Sequence, residues 1–196
     1  MLRLLDIILS LLGMVILSPL LLTIYIIVIF ESKGGGVYTQ KRVGMNDIEF
    51  NLYKFRSMSV GSDKKGLLTL GIKDFRITRI GNLIRHFKLD ELPQLYNVFI
   101  GDMSLVGPRP EVRKYVDLYS IEQRKVLSVM PGITDYASIE YVNENIILGS
   151  ALNPEKVYIE EIMPNKICLS MKYIENRSVK EYYRIILLTF WQIIIK

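Results

Sequence analysis

The chain has a single cysteine, Cys168, among 196 residues, which excludes an intramolecular disulfide and fits a reducing compartment. Its apolar neighbours Ile167 and Leu169 predict a buried structural thiol. No helix-turn-helix, zinc-finger or RNA-recognition signature accompanies the positive charge, so nucleic acid is not an expected partner. Gly34-Gly35-Gly36 is not followed by Lys-Ser or Lys-Thr at the spacing of a nucleotide phosphate loop, and it reads as a flexible joint. Internal repeats and low-complexity tracts are absent. So is charge over one long stretch, from Ile7 to Phe30.

Those 24 uncharged positions would reach about 36 Å as a helix, enough for a hydrocarbon core of about 30 Å. The run is longer than a usual signal-peptide core, and no small-x-small cleavage pattern precedes Ser32, so a cleaved leader is not expected. Ser18-Pro19 falls near the middle and predicts a kink. Arg3 lies before the segment, and Lys33, Lys41 and Arg42 lie after it. Positive charge on both flanks keeps two readings open, a spanning helix with a tolerated kink and a re-entrant hairpin with both ends cytoplasmic. Near the other end, residues 182–195 are too short and interrupted for a second span; their Tyr and Trp suit an interfacial or core-packed helix.

The hydrophobic fraction is 50% and the mean hydropathy +0.25, which leads us to expect membrane contact. About 160 residues remain for one catalytic-sized domain. Net charge is +5 but uneven: between Lys33 and Lys88 there are 12 Lys or Arg against 4 Asp or Glu, a local +8. Such a segment suits anionic lipid or a polyphosphate substrate.

Patterning predicts a mostly helical α+β fold. Val37–Gln40 and Phe50–Phe55 read as a hairpin around Gly44-Met45-Asn46-Asp47, with Lys54 and Arg56 on one face of the second strand. Ser59–Gly71 reads as a mobile loop. A helix carries Ile77, Ile80, Leu83, Ile84 and Phe87, with Arg76, Arg79 and Arg85 on other faces. Another is expected to start at Asp90 as N-cap, with Pro93 in its first turn. Amphipathic helices are expected over 110–129, 154–162 and 179–195, with a break at Pro131-Gly132.

The densest chemistry lies between Lys88 and Pro110. Asp90 and Glu91 are adjacent, so on a helix they diverge by about 100° and are ill placed to oppose each other as glycosidase acids must be. Their roles can divide instead: one attacks phosphorus, the other binds Mg²⁺. Arg85 and Arg109, the latter fixed between Pro108 and Pro110, are the candidates to neutralise phosphate charge.

Six blocks then extend the pattern: Tyr38-Thr39-Gln40-Lys41-Arg42-Val43-Gly44, Tyr53-Lys54-Phe55-Arg56-Ser57-Met58, Arg79-Ile80-Gly81, Leu89-Asp90-Glu91-Leu92-Pro93-Gln94-Leu95, 101–110, and Pro131-Gly132-Ile133-Thr134. In this order, with Ser18-Pro19 in the apolar segment, the chain resembles the bacterial sugar transferases, the monotopic polyprenyl-phosphate phosphoglycosyl transferases. The resemblance implies that Asp90 attacks the β-phosphate of a UDP-sugar, releasing UMP and forming a phosphosugar-aspartyl intermediate. A polyprenyl phosphate, usually undecaprenyl phosphate, then takes the sugar phosphate. Glu91 matches the acid associated with Mg²⁺, with Asp90 as a further metal donor. Arg85, Arg109, Lys54 and Arg56 are the implied substrate-binding residues, and Ser18, Pro19, Pro108 and Pro110 the structural ones.

The resemblance also tips the N-terminus towards a re-entrant helix. It divides the chain into a membrane-embedded 1–32 and a cytoplasmic catalytic 33–196, at a bacterial inner membrane and in contact with its lipid. A homodimer is left open. After Thr134 this chain reads Asp135-Tyr136-Ala137-Ser138-Ile139-Glu140-Tyr141, away from the common family pattern, so sugar contacts there do not carry over. Two other readings compete, a membrane-anchored scaffold without turnover and a hydrolase of nucleotide sugars.

Overall fold

The apolar N-terminus folds as two helices, α1 (Leu2–Ile16) and α2 (Ser18–Glu31), bent by 64° at the break between them. Pro19 sits in the first turn of α2, where its missing N–H leaves no intrahelical partner unmet. Ser18 Oγ donates back to the Val15 carbonyl at 2.8 Å. Among the residues covered by the computed structural model (2–62, 66–71 and 74–195, with side chains through Gln192), no single helix is long and apolar enough to cross a membrane. The bent pair passes that test only together.

Strands β1 (Val37–Val43) and β2 (Glu49–Phe55) form the expected antiparallel hairpin, Val37 opposite Phe55 and Val43 opposite Glu49. Asn46 and Asp47 take left-handed φ of 57° and 64° in its turn, a conformation those side chains tolerate. Helix α3 (Arg79–His86) starts at Thr78, whose Oγ1 accepts from the Gly81 N–H at 2.9 Å. A Cβ at Gly81 would stand 2.0 Å from the Ser57 carbonyl oxygen, so the glycine lets α3 lie directly on the end of the hairpin.

The helix expected from Asp90 begins later. Asp90 lies in a 3₁₀ turn, Leu89–Glu91, and α4 runs over Gln94–Ile100 with Pro93 before it. Lys88 adopts φ 57° ahead of the turn, so the chain reverses where α3 ends and turns Asp90 inward.

Strand β3 (Ser104–Val106) pairs in parallel with β4 (Gly132–Thr134), joining two of the sequence blocks. A Cβ on Gly132 would meet the Gly107 nitrogen at 2.1 Å, so only glycine allows this approach. The helix expected over 110–129 is broken. α5 (Arg113–Val116) is followed by a 3₁₀ segment, Gln123–Ser128. Ser120 and Gln123 form a capping box, the Ser120 N–H donating to Gln123 Oε1 (2.9 Å) and the Gln123 N–H to Ser120 Oγ (3.2 Å), which restarts the chain.

α6 (Tyr136–Glu140) and α7 (Glu144–Ser150) were not anticipated. The helix expected over 154–162 runs on through α8 (Pro154–Val157), a π turn (Tyr158–Ile162) and α9 (Met163–Glu175). Pro164 has no N–H to continue the α ladder, and the π turn precedes it. α10 (Val179–Ile195) is present as expected. It buries Tyr182 and Ile185 and exposes Leu187, Phe190 and Trp191, so it has both a packed and an open apolar face.

The largest core gathers Val112, Tyr115, Val126, Leu148, Tyr158 and Ile162 from the second half of the chain. Cys168 is exposed, against expectation: Ile167 takes the buried position of α9, and one residue later the side chain has turned about 100° outward. The glycine joint is also pinned rather than free. Arg56 donates to the carbonyls of Gly34 (2.5 Å) and Gly35 (2.9 Å), and Gly36 is buried.

Part of the expected mobile loop, residues 63–65, lies outside the described residues. Its described flanks are fixed by a buried pair, Arg76–Asp74 at 2.6 Å, whose guanidinium also donates to the Gly66 and Leu68 carbonyls. That guanidinium, hydrogen-bonded to Asp74, holds the carboxyl down at about 2.

Candidate active site

A cleft of about 1010 Å³ opens between the hairpin, α3, the Leu89–Glu91 turn, α7 and α10. Asp90, Glu91, Lys54, Arg85 and Arg109 all line it. Two sequence elements aim the arginines. Arg85 comes from the last turn of α3, and its Nη2 donates to Thr69 Oγ1 at 2.9 Å. Arg109 is held by its flanking prolines, each fixed through its carbonyl. Pro108 accepts from the Gly132 N–H (2.9 Å) and Pro110 from Arg42 Nη1 (3.0 Å). Beyond the turn, the Val43 N–H donates to the Glu111 carbonyl at 2.8 Å. The Pro-Arg-Pro segment is thus clamped between the hairpin and β4, which leaves the Arg109 side chain as its projecting group.

The two neighbouring acids have opposite surroundings. Glu91 is bound by Lys54 Nζ at 2.9 Å and by both terminal nitrogens of Arg109. Burial pushes its carboxyl up, but the Arg109 and Lys54 charges outweigh burial and hold it well below the usual carboxylate range. Asp90 is 7% exposed. Burial first, and the Glu91 charge second, raise its carboxyl above the ordinary value, while Lys54, Arg85 and Lys88 pull the other way. Burial also lowers the Lys54 ammonium, with Glu91 partly restoring it. The Glu91 charge raises the Arg109 guanidinium, which stays cationic throughout.

The site therefore pairs a fixed anion with a second carboxylate whose charged form is poorly stabilised. A carboxylate in that state gains from forming a bond that removes its charge, which is what a nucleophile at phosphorus does. Cations already in place can donate to phosphate oxygens.

Of the expected substrate-binding residues, Lys54, Arg85 and Arg109 come together around the dyad. Arg56 lines the cleft, but its donors go to the Gly34 and Gly35 carbonyls. Ser18 and Pro19 form the bend after α1, and Leu9 and Gly13 of α1, with Leu17 at the break, line the same cleft. Sequence reasoning missed Arg42 as the support of Pro110, although it sits in a motif block. It also missed Glu144 and Lys166, 22 residues apart, for which no local spacing gave a signal.

Among the described residues no group of three or more His, Cys, Asp or Glu is placed to enclose a metal ion. Magnesium asks for less, one or two carboxylates with water and substrate phosphates completing the shell. Glu91 Oε1 is taken by Lys54 and Arg109, whereas Oε2 makes a long 3.3 Å contact with Arg109 Nη1. The dyad fits a magnesium ion through Glu91 Oε2, provided that phosphate oxygens share it.

The model of the bacterial sugar transferase family matches residues 1–196. The chain is 40% identical over 139 residues to the UDP-N-acetylgalactosamine-undecaprenyl-phosphate N-acetylgalactosaminephosphotransferase of Aeromonas hydrophila, covering 68% of this chain and 32% of that protein. It is 37% identical over 193 residues to the UDP-glucose:undecaprenyl-phosphate glucose-1-phosphate transferase of Klebsiella pneumoniae, covering 97% of this chain and 39% of that protein. A Caulobacter vibrioides protein of the same name is 33% identical over 190 residues, covering 95% of this chain and 67% of that protein. The chain thus spans well under half of the first two.

Proposed function

The chain belongs to the bacterial sugar transferase family, and from that premise we propose that it moves a sugar-1-phosphate from a UDP-sugar to a polyprenyl phosphate. The observation that carries the proposal is the unequal dyad: Glu91 clamped as an anion by Lys54 and Arg109, and Asp90 buried beside it. Three relatives are named for undecaprenyl phosphate as acceptor, with two different sugars.

In the proposed reaction an Asp90 carboxylate oxygen bonds to the β-phosphorus of the UDP-sugar. The bond from that phosphorus to the bridging oxygen breaks, and UMP leaves with the electron pair. An oxygen of the lipid phosphate then attacks the same phosphorus, and Asp90 departs as the carboxylate. Arg109 and Arg85 hold the phosphate oxygens through both displacements. Glu91 keeps Arg109 and Lys54 in position, and Arg56 keeps the chain at Gly34–Gly36 against the cleft. Mg²⁺ would be held by Glu91, with Asp90 as second carboxylate, and when bound supplies positive charge to the diphosphate.

The N-terminal pair α1–α2 is proposed as a re-entrant element (residues 1–32) that docks the catalytic part (33–196) on the cytoplasmic face of a bacterial inner membrane. Apolar cleft lining from Leu9 and Leu17 on one side and Phe190 on the other would face the lipid substrate.

The test uses the detergent-solubilised protein with UDP-sugars, Mg²⁺ and undecaprenyl phosphate. Without the lipid, a burst of about one equivalent of UMP with a phosphosugar adduct by intact mass, and with it sustained UMP release, is the expected result. Asp90→Asn is expected to lose both, with turnover down by about 10⁴-fold. An adduct on the Asn variant would overturn the nucleophile, and sustained turnover without the lipid would make the protein a hydrolase.

A further inference from the structure

The cleft that holds the dyad has a second charged pair in its lining, and the transfer chemistry does not use it. Lys166 Nζ donates to Glu144 Oε2 at 2.8 Å, with side chains 13% and 26% exposed. The ammonium stands 5.5 Å from the centre of the buried Tyr158 ring, whose hydroxyl is fixed by a 2.8 Å bond to Glu111. Tyr158 opens the π turn ahead of α9, a distortion that often marks functional sites, and Lys166 follows in α9. Asn143 and Asn145 flank Glu144 on the same wall.

Phosphate does not explain this pair. An acid in a phosphate-binding cleft repels phosphate, and Arg85, Arg109 and Lys54 already mark where phosphate goes. The acceptor lipid does not explain it either, because its wall is apolar, at Leu9, Leu95 and Phe190. The donor's sugar is joined through its anomeric oxygen to the phosphorus that Asp90 attacks, so whatever reads the sugar must share the cleft with Arg109. Glu144 and Lys166 meet that condition, because both line the cleft that Arg109 lines. A carboxylate neutralised by an ammonium and flanked by amides offers acceptors and donors with no net charge. Sugar hydroxyls, each both donor and acceptor, match that set.

We infer that Glu144 and Lys166 form the sugar-reading wall of the donor cleft, taking the hydroxyls of a neutral hexose and rejecting a hexuronate, whose carboxylate would meet Glu144. The inference rests on the transferase reading above and deepens it.

The experiment measures kcat/KM for UDP-glucose, UDP-N-acetylgalactosamine and UDP-glucuronate, with inhibition by UMP alongside. The proteins are wild type, Glu144→Gln, Lys166→Met and Lys166→Arg. Wild type is expected to favour a neutral donor. Lys166→Met is expected to lower kcat/KM for that donor by about 10- to 100-fold, and Lys166→Arg to recover most of it. Glu144→Gln is expected to narrow the ratio of neutral to acidic donor by about tenfold. UMP inhibition should stay within about twofold throughout, which separates a lost sugar contact from a damaged fold. Unchanged donor ratios, a wild type that favours UDP-glucuronate, or weakening of UMP in step with the sugar would each overturn the inference. If wild type released no UMP from any donor, the transferase reading would fall and take the sugar wall with it.

Discussion

Two buried carboxylate sites in this molecule have opposite kinds of partner. In the seam between α1, β3 and α10, Asp6 is 2% exposed and its Oδ1 accepts from Ser104 Oγ (3.0 Å), the Leu105 N–H (2.9 Å) and the Tyr182 hydroxyl (2.7 Å). Every one of those donors is neutral. In the cleft, Glu91 is met by two cations. The seam's bonds tie α1 to β3 and α10 through donors that carry no charge, so they make a permanent joint between the N-terminal helix and the rest of the chain. Cations can share themselves between a carboxylate and a phosphate, because both are planar or tetrahedral oxyanions they recognise well. Burial alone therefore does not mark a functional acid.

The largest effect should come from the cleft. Glu91→Gln leaves Lys54 and Arg109 without their counter-charge and frees Arg109 to swing. We expect turnover to fall by about 10²-fold, the usual loss when one preorganised electrostatic contact goes. Stability should fall by about 2 kcal/mol, the worth of hydrogen bonds to charged groups. Steady-state UMP release and thermal unfolding in the same detergent check both. Full turnover with intact stability would make Glu91 a bystander.

The seam should separate those two readouts. Asp6→Asn keeps the shape but weakens three bonds, with an expected loss of about 1–2 kcal/mol and a Tm lower by about 2–8 °C. Turnover measured well below that Tm should change by less than about threefold. A loss of turnover as large as that from Glu91→Gln would show that the joint sets the cleft geometry, and the contrast between the two sites would fail.

The two sites also differ in how far the sequence exposed them. The dyad, both arginines and the Ser18-Pro19 bend were legible because they sit in contiguous blocks, where spacing and residue type speak together. So was the hairpin, whose turn at Asn46-Asp47 needs residues that accept positive φ. The start of α4 was misplaced because Asp90 is a good cap by type, yet Lys88 in the left-handed region begins a 3₁₀ turn that postpones the helix.

The long helix expected over 110–129 failed on a signal that was present, the Ser120–Gln123 capping box that interrupts an otherwise helical periodicity. Asp6 stood at the edge of the apolar run, but its partners are 98, 99 and 176 residues away. Contacts of that range are set by tertiary packing and leave no local pattern. The same applies to Glu144 and Lys166.

The smallest expected effect has the most informative sign. Asp90 and Glu91 are adjacent, yet folding favours protonation of one and ionisation of the other. Because the folded state raises the Asp90 carboxyl, the native protein holds that proton over a pH range in which the unfolded chain has released it. Stability from Asp90 is therefore complete below the ordinary carboxylate value and is lost as pH rises through the raised one. Asp90→Asn removes this penalty, so at neutral pH the variant should be more stable by about 1 kcal/mol, with Tm up by about 2–4 °C. The gain should shrink as pH falls towards the ordinary carboxylate value. Glu91 runs the other way, its contribution present above its unfolded value and lost on acidification through the depressed one. The wild-type turnover profile should share the Asp90 dependence, with an acidic limb above the ordinary carboxylate range, since in the proposed reaction the attacking form is the ionised one. Thermal unfolding of wild type and Asp90→Asn between pH 4 and pH 8 decides the matter. A Tm for Asp90→Asn at or below wild type across that range would mean that Asp90 is held as a comfortable anion, and the division of labour within the dyad would have to be redrawn.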